Sequence, residues 1–110
     1  MIFIVGGAFQ GKTDYAKSCF PDAHRIINQY HETIRLQMQQ GLEPLEEVKK
    51  LPLSEEGLII ICDEVGSGLV PVDAFERAWR EQVGRVGGYL AERAEKVIRV
   101  VCGIGRSIKP

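Results

Sequence analysis

The stretch that decides the fold is MIFIVGGAFQGKT, residues 1–13. Its apolar beginning, residues 1–5, is rich in β-branched side chains, as is typical of a strand buried on both faces of a parallel sheet. The continuation from Gly6 to Thr13 fits the phosphate-binding pattern G-x-x-x-x-G-K-[ST] at every required position. The residues from Lys12 to about Phe20 then predict a helix, which Pro21 ends. A strand, a glycine-rich loop and a helix in this order predict a P-loop.

This loop predicts a site for a nucleoside triphosphate. Backbone N–H groups of such a loop point inward at a phosphate, and the helix that follows directs its positive end to the same place. Lys12 is expected to bind the β- and γ-phosphates and assist their chemistry, and the Thr13 hydroxyl is expected to ligate Mg²⁺. The predicted nucleotide-binding residues are Gly6, Gly7, Ala8, Phe9, Gln10, Gly11, Lys12 and Thr13. A glycine-rich turn that binds no ligand is the alternative.

A second buried strand is predicted where four apolar residues, 58–61, are followed by Cys62 and two carboxylates. An acidic residue at the carboxyl end of a buried strand lies at the ligand crevice of an open α/β sheet. We therefore expect Asp63 to be a magnesium ligand and Glu64 to be a catalytic residue that deprotonates or orients the nucleophile. The alternative is that this acidic pair merely ends a strand where solvent begins.

The rest of the chain alternates strand and helix patterns. Further strands are expected over residues 24–28 and 97–102, helices over 30–40, 44–50 and 73–95, and a tail over 103–110. Asp73 is the expected N-cap of the last helix, and Trp79 belongs to its apolar stripe. Such alternation implies right-handed crossovers and a parallel sheet. We expect one P-loop NTPase-like α/β domain, residues 1–110, with a mainly parallel sheet and helices on both faces.

The helix predicted over residues 73–95 contains Gly84, Gly87 and Gly88. Each glycine in a helix interior costs about 1 kcal/mol relative to alanine. We expect the three to permit close approach of another backbone, either the chain's own sheet or a neighbouring subunit. The second possibility predicts a homo-oligomer.

Composition excludes several classes of partner. The 110 residues carry 14 Lys and Arg against 15 Asp and Glu, so no basic surplus indicates a nucleic-acid or anionic-membrane partner. The 3 cysteines form no C-x-x-C pair, which favours a reducing cytoplasm over a secreted disulfide scaffold. Apolar runs such as residues 57–62 are too short to span a bilayer, and the beginning of the chain does not have the pattern of a signal peptide. A cytoplasmic protein is expected.

Residues 63–71, DEVGSGLVP, resemble the N-E-V-G-x-G-I-V-P signature of the adenosylcobinamide kinase/adenosylcobinamide-phosphate guanylyltransferase family. Residues 75–86 are similar to its F-R-D-x-x-G-R-x-N block, residues 100–109 to its V-V-S-G-I-x-x-x-I-K close, and residues 6–13 to its G-G-A-x-S-G-K-S loop. The resemblance covers residues 1–19 and 58–110. It implies a homo-oligomeric kinase that uses ATP or GTP with Mg²⁺ to phosphorylate a hydroxyl of a small-molecule acceptor, by analogy adenosylcobinamide, a corrinoid of cobalamin biosynthesis.

The chain also departs from this family. The region before residue 58 is shorter than the family's, and we find there no counterpart of its acid-ending strand. Asp63 stands where the family has Asn, whereas Glu64 matches. His31, with Arg35 and Glu43 after it, only weakly resembles the region of the family's guanylylated histidine, so it is expected to be a surface or capping residue and guanylyl transfer to be absent. A non-catalytic nucleotide-binding sensor or assembly protein is the alternative, and the choice between ATP and GTP stays open.

Overall fold

A computed structural model describes residues 1–65 and 73–109, in which strands and helices alternate much as the sequence predicts. The residues between Val65 and Asp73 hold most of the family-like signature and of the predicted loop, and they lie outside the described residues. The elements are β1 (Ile2–Gly6), α1 (Lys12–Cys19), β2 (Arg25–Ile27), α2 (Tyr30–Gln39), α3 (Pro44–Val48), β3 (Leu58–Asp63), α4 (Ala74–Arg93), β4 (Lys96–Val101) and β5 (Ile104–Lys109).

The sheet has the strand order β2-β3-β1-β4-β5, and its first four strands are parallel. Ile4 in the central strand β1 lies between Ile61 of β3 and Ile98 of β4. Continuous apolar sequence in β1 and β3 follows from this position, because a central strand is covered on both faces. The predicted α/β class, P-loop NTPase-like with a mainly parallel sheet, is confirmed.

Helices cover both faces of the sheet, as predicted. On one face α1 packs, through Ala16, against a row of buried aliphatic side chains that includes Ile59 and Ile61. On the other face α2, α3 and α4 pack against Phe3, Ile60 and their neighbours. Trp79 belongs to this second cluster, which confirms its predicted place in the core.

Helix α4 begins where the sequence predicts it. The Asp73 carboxylate accepts hydrogen bonds from the backbone N–H groups of Phe75, at 2.7 Å, and Glu76, at 3.3 Å. Such a cap satisfies donors that the first helical turn leaves without partners. None of the helices in the described part of the chain combines the length and the apolar character that crossing a bilayer requires.

The predicted tail is wrong, because residues 104–109 form β5, antiparallel to β4. Cys102 and Gly103 make the tight turn between the two strands, with φ of 50° and 77°. Two central residues with positive φ suit the twist of a hairpin, but Cys-Gly is not among the common pairs for such turns. Ile104 and Ile108 of this edge strand are exposed, so the strand does not show the apolar run of a buried one.

The glycines of α4 do not serve close packing within the described chain. A Cβ atom placed on Gly84, Gly87 or Gly88 meets no described atom within 4 Å. Approach of the chain's own sheet therefore does not explain them. Approach of a neighbouring subunit stays a prediction.

Candidate functional site: the P-loop cavity

The loop from Gly6 to Thr13 connects β1 to α1 at the carboxyl end of the sheet. Gly6 is needed for close packing, since a Cβ atom there would lie 2.4 Å from the carbonyl oxygen of Val100 in β4. Gly11 precedes α1 with a φ of 81°, in the left-handed region that favours glycine. No side chain of the described residues caps this helix. The free N–H groups at the start of α1 are therefore available to an anion.

The apex of the loop is tied to the turn between β4 and β5. The Gln10 carbonyl accepts a hydrogen bond from the N–H of Gly103 at 2.8 Å, and its Oε1 accepts one from the N–H of Cys102 at 2.7 Å. The side chain of Phe9 beside it is fully exposed. Sequence analysis missed the role of Gln10 as an anchor, because Cys102 was expected to end a strand and Gly103 to begin a tail.

A polar cavity of about 240 Å³ opens beside this loop. It is lined by Ala8, Phe9, Gln10, Gly11, Lys12, Thr13, Asp14, Asn28, Gln29 and Asp63. The structure thus brings most of the predicted nucleotide-binding residues together with Asp63, which lies on a different strand. Gly6 is buried behind the cavity, and Gly7 contributes its carbonyl group to the binding of Lys12.

Lys12 is buried, with only 7% of its surface exposed. Its Nζ donates a hydrogen bond to the carbonyl oxygen of Gly7 at 2.6 Å and lies 2.7 Å from Oδ1 of Asp63. A buried ammonium needs such partners, because desolvating an unpaired charge is costly. Lys12 is therefore positioned at the cavity with its charge compensated by groups of the protein itself.

Thr13 and Asp63 suit the magnesium role that the sequence predicts. Hydroxyl and carboxylate oxygens are ligands that Mg²⁺ prefers, and it completes its shell with phosphate oxygens and water. Among the described residues no group of three or more His, Cys, Asp or Glu side chains could hold a metal ion. An ion held by Thr13 and Asp63 would need phosphate oxygens or water for the rest of its shell.

Asn28 is a cavity residue that sequence analysis missed. It follows the last residue of β2, and its Nδ2 donates a hydrogen bond to the Thr13 hydroxyl oxygen at 2.9 Å. The signal was available, since a polar side chain follows a strand at the carboxyl edge of the sheet.

Glu64 is not brought together with Lys12 and Thr13. Its carboxylate accepts two hydrogen bonds from Arg99, at 2.8 Å and 3.1 Å, and this interaction raises the pKa of the guanidinium. Glu64 lines a second cavity, of about 320 Å³ and mostly apolar, between the sheet and α4. Its walls include Val5, Cys62, Val65, Val83, Gly84, Gly87 and Ile108. Asp63 borders both cavities, so the two regions meet at that residue.

His31 is neither a surface residue nor a helix cap, which corrects the expectation from sequence. It is buried on α2 and its Nδ1 accepts a hydrogen bond from the N–H of Asp63 at 3.0 Å. Its Nε2 lies 3.3 Å from Oδ2 of Asp63, and its carbonyl oxygen accepts a hydrogen bond from Trp79 Nε1 at 2.9 Å. Tyr30, Ile34 and Met38, at spacings of four residues, indicate the buried stripe of this helix, and their periodicity does not include the adjacent His31.

A sequence model of the family described as cobinamide kinase / cobinamide phosphate guanyltransferase matches residues 23–108, most of the chain. The chain belongs to this family. The match includes residues 23–57, which the sequence analysis had left outside the resemblance. It begins after the P-loop, so the assignment of that loop rests on its own sequence and geometry.

Two curated relatives extend this finding. Both carry the name bifunctional adenosylcobalamin biosynthesis protein CobU, one from Salmonella typhimurium and one from Escherichia coli. Each is 42% identical to this chain over 52 residues, which are 47% of this chain and 29% of the relative. The chain thus aligns with less than a third of the length of these relatives.

Proposed function

We propose that this chain is a P-loop kinase that transfers the γ-phosphoryl group of ATP or GTP to a hydroxyl group of a small-molecule acceptor. By analogy with its family, the acceptor is adenosylcobinamide, a corrinoid of cobalamin biosynthesis. The observation that carries the proposal is the convergence of Lys12, Thr13 and Asp63 on one polar cavity at the start of α1.

Each of these residues has a defined task in the proposed reaction. The loop N–H groups and Lys12 bind the phosphates, for which Lys12 exchanges its contacts with Gly7 and Asp63 for phosphate oxygens. Thr13 and Asp63 would hold Mg²⁺, which when bound neutralises charge on the phosphates. The acceptor oxygen forms the new bond to the γ-phosphorus while the bond to the bridging oxygen of the leaving diphosphate breaks.

Glu64 is the proposed base or orienting residue for the acceptor hydroxyl. It lines the apolar cavity beside Asp63, the residue at which that cavity meets the P-loop cavity. An acceptor whose body enters from the apolar side would bring its hydroxyl to this junction, and its proton would pass to the Glu64 carboxylate. Arg99 holds that carboxylate in place.

Transfer of label from γ-labelled ATP or GTP to adenosylcobinamide tests the proposal. We expect a labelled corrinoid with wild-type protein and with Lys17→Ala, an exposed lysine of α1 that serves as control. Lys12→Ala should remove the activity. If wild-type protein binds the nucleotide but labels no corrinoid, the kinase proposal is wrong.

A non-catalytic nucleotide sensor or assembly protein is the second candidate. The observation that favours it is the pairing of Glu64 with Arg99, outside the P-loop cavity. Such a protein would bind the triphosphate but would not transfer its phosphoryl group, whichever acceptor is added. Binding together with an unchanged triphosphate after prolonged incubation would support it against the kinase.

We infer that guanylyl transfer is absent. A histidine can accept GMP only if a free ring nitrogen faces the α-phosphate. In His31, Nδ1 is occupied by the N–H of Asp63 and Nε2 lies beside the carboxylate of the same residue. Incubation with α-labelled GTP should leave no acid-labile label on the protein. A label that disappears in His31→Ala would contradict this inference.

We also propose that the chain forms a homo-oligomer. The exposed surface includes Gly84 and Gly88 of α4 and the aliphatic side chains of Ile104 and Ile108 on β5. Light scattering coupled to size exclusion would detect the assembly. A monomer at about 100 μM, where an interface of about 5.5 kcal/mol is half occupied, would exclude it.

A further inference from the structure

Buried polar side chains are concentrated around one residue. In residues 1–65 and 73–109, the polar or charged side chains that are buried are Lys12 and His31, and both contact Asp63. Lys12 has an expected part in phosphate binding, but burial of His31 has no explanation in that chemistry. Burying a polar ring without hydrogen-bond partners is unfavourable, so the contacts of the His31 ring indicate its role.

His31 takes the place of a missing strand partner. Strand β2 pairs with β3 from Arg25 opposite Leu58 to Ile27 opposite Ile60, and it ends there. On the other side of β3 the ladder continues, because the N–H of Glu64 donates to Gly6 at 2.8 Å. Successive N–H groups of a strand point to opposite edges, so the N–H of Asp63 faces the edge where β2 has ended. The imidazole of His31 supplies the acceptor there.

This hydrogen bond determines the protonation pattern of the ring. A backbone N–H can only donate, so Nδ1 of His31 must carry a lone pair and the ring proton must be on Nε2. Nε2 lies 3.3 Å from Oδ2 of Asp63, with Glu32 Oε1 next nearest at 3.8 Å. A neutral ring therefore places its N–H beside one oxygen of Asp63, while Oδ1 faces Lys12 at 2.7 Å.

Trp79 in turn fixes His31. Its indole N–H donates to the His31 carbonyl at 2.9 Å, which connects α4 to α2. Asp63 is thus held through its backbone and through one carboxylate oxygen by a residue that is itself anchored in the core. When Lys12 moves to a phosphate, these contacts remain.

We propose that His31 is a positioning residue that fixes the Asp63 carboxylate toward the P-loop cavity. This proposal rests on the proposed function, in which Asp63 holds Mg²⁺ with a nucleotide. Groups that orient a metal-binding carboxylate from behind usually change metal affinity by about 10- to 100-fold when they are removed. His31 would act through its neutral ring, with Nδ1 as the acceptor that fixes the backbone of Asp63.

The tautomer of His31 can be measured without nucleotide or metal. Nitrogen NMR of the imidazole rings in the full chain should show the Nε2–H form for His31. His24, exposed and paired with Glu55, is the internal control. The Nδ1–H form at His31 would overturn the proposal, because that form cannot accept from Asp63.

Two substitutions separate positioning from simple filling of the core. The amide oxygen of His31→Asn can take the place of Nδ1, whereas the amide of His31→Gln reaches the place of Nε2 and leaves the N–H of Asp63 without an acceptor. Calorimetric binding of ATP and GTP, with and without Mg²⁺, is the readout. We expect His31→Gln to weaken Mg²⁺-dependent binding about tenfold, and His31→Asn to remain within about threefold of wild type.

The controls distinguish the possible failures. Binding without Mg²⁺ should change by less than about twofold in both variants, and His24→Gln should behave as wild type. Equal losses in both variants, or equal losses with and without Mg²⁺, would show a purely structural role and overturn the proposal. If wild-type protein binds no nucleotide, the proposed function fails. The tautomer measurement still decides whether His31 holds Asp63 as described.

Discussion

Asp63 and Glu64 are neighbours in the chain but belong to two different regions of the molecule. Asp63 continues the side of β3 that carries Ile59 and Ile61, and it contacts Lys12 at the P-loop. Glu64 lies on the opposite side, toward α4, where it binds Arg99 and borders an apolar cavity. Alternation along a strand separates the two acids, so a sequence motif of paired carboxylates does not by itself indicate a shared site.

The two regions also differ in how tightly they are built. Around the P-loop, charged and polar groups pair at short distances and backbone segments approach closely, as at Gly6. Around the second cavity the walls are largely aliphatic, and a Cβ atom placed on a glycine of α4 meets no described atom within 4 Å. The described residues thus pack more closely, and with more paired charge, around the P-loop than around the apolar cavity.

The largest expected effect comes from removing the positive charge of Lys12 at the P-loop. Lys12→Ala should weaken triphosphate binding by about 1.5–3 kcal/mol, the range for hydrogen bonds to charged groups, or roughly 10- to 150-fold. Lys17→Ala, on the exposed side of α1, should leave the affinity unchanged. If both variants bind Mg²⁺-nucleotide as tightly as wild type in a titration, Lys12 does not bind the phosphates. The proposed difference between the polar and the apolar region would then be wrong.

Substitution of each acid separately tests the comparison itself. Asp63→Asn should weaken Mg²⁺-dependent binding by about 1.5 kcal/mol or more, since it removes a charged ligand. Without Mg²⁺ it should bind at least as tightly as wild type, because Lys12 no longer has to leave a carboxylate. Glu64→Gln should change the nucleotide affinity by no more than about twofold, with or without Mg²⁺. It removes only the ion pair of Glu64 with Arg99, and such surface pairs contribute little. Similar losses in both variants would show that Glu64, like Asp63, contributes to the binding of nucleotide and Mg²⁺, against this comparison.

A pair of glycine substitutions tests the difference in packing. Gly6→Ala should lower the free energy of unfolding by about 1–3 kcal/mol, because its Cβ would collide with the Val100 carbonyl. Gly87→Ala should raise it by about 0.4–1 kcal/mol, because alanine restricts the unfolded chain more than glycine does. The added Cβ atom meets no described atom within 4 Å. Denaturant unfolding measures both changes. Destabilisation by Gly87→Ala would show that the apolar region is packed more closely than described.

The smallest effect concerns thiol reactivity in the two regions. Burial raises the pKa of Cys62, beside the apolar cavity, to about 12, whereas Cys19 and Cys102 are exposed. At pH 8 an alkylating reagent should modify the exposed thiols and spare Cys62 until the protein unfolds, since only the thiolate reacts. Mass mapping identifies the modified residues. Rapid labelling of Cys62 in the native protein would indicate that reagent and water enter freely.

Elements with a strong local sequence signal could be predicted from the sequence. The apolar runs of β1 and β3 and the cap at Asp73 indicate their structures locally, and the P-loop pattern indicates its place between strand and helix. Strand β5 could not be predicted, because an exposed edge strand has no apolar run and its turn at Cys102 uses uncommon residues. This edge strand is therefore identified only from its pairing with β4 in the sheet.

The candidate site was predictable where one segment carries its chemistry. Lys12 and Thr13 follow from the loop alone, and Asp63 from the end of its strand. Asn28 could have been inferred from its place after β2, whereas His31 comes from α2, and no local pattern encodes its contact with the end of β3. Their contacts with Thr13 and Asp63 therefore required the three-dimensional arrangement.

The central claim is that the P-loop cavity with Asp63 is a site for a nucleoside triphosphate and Mg²⁺. Calorimetric titration of the full chain with ATP and with GTP, each in the presence and absence of Mg²⁺, tests it most directly. The account predicts binding of one triphosphate per chain, tighter with Mg²⁺ than without it. No binding of either nucleotide, or an affinity that does not depend on Mg²⁺, would contradict it.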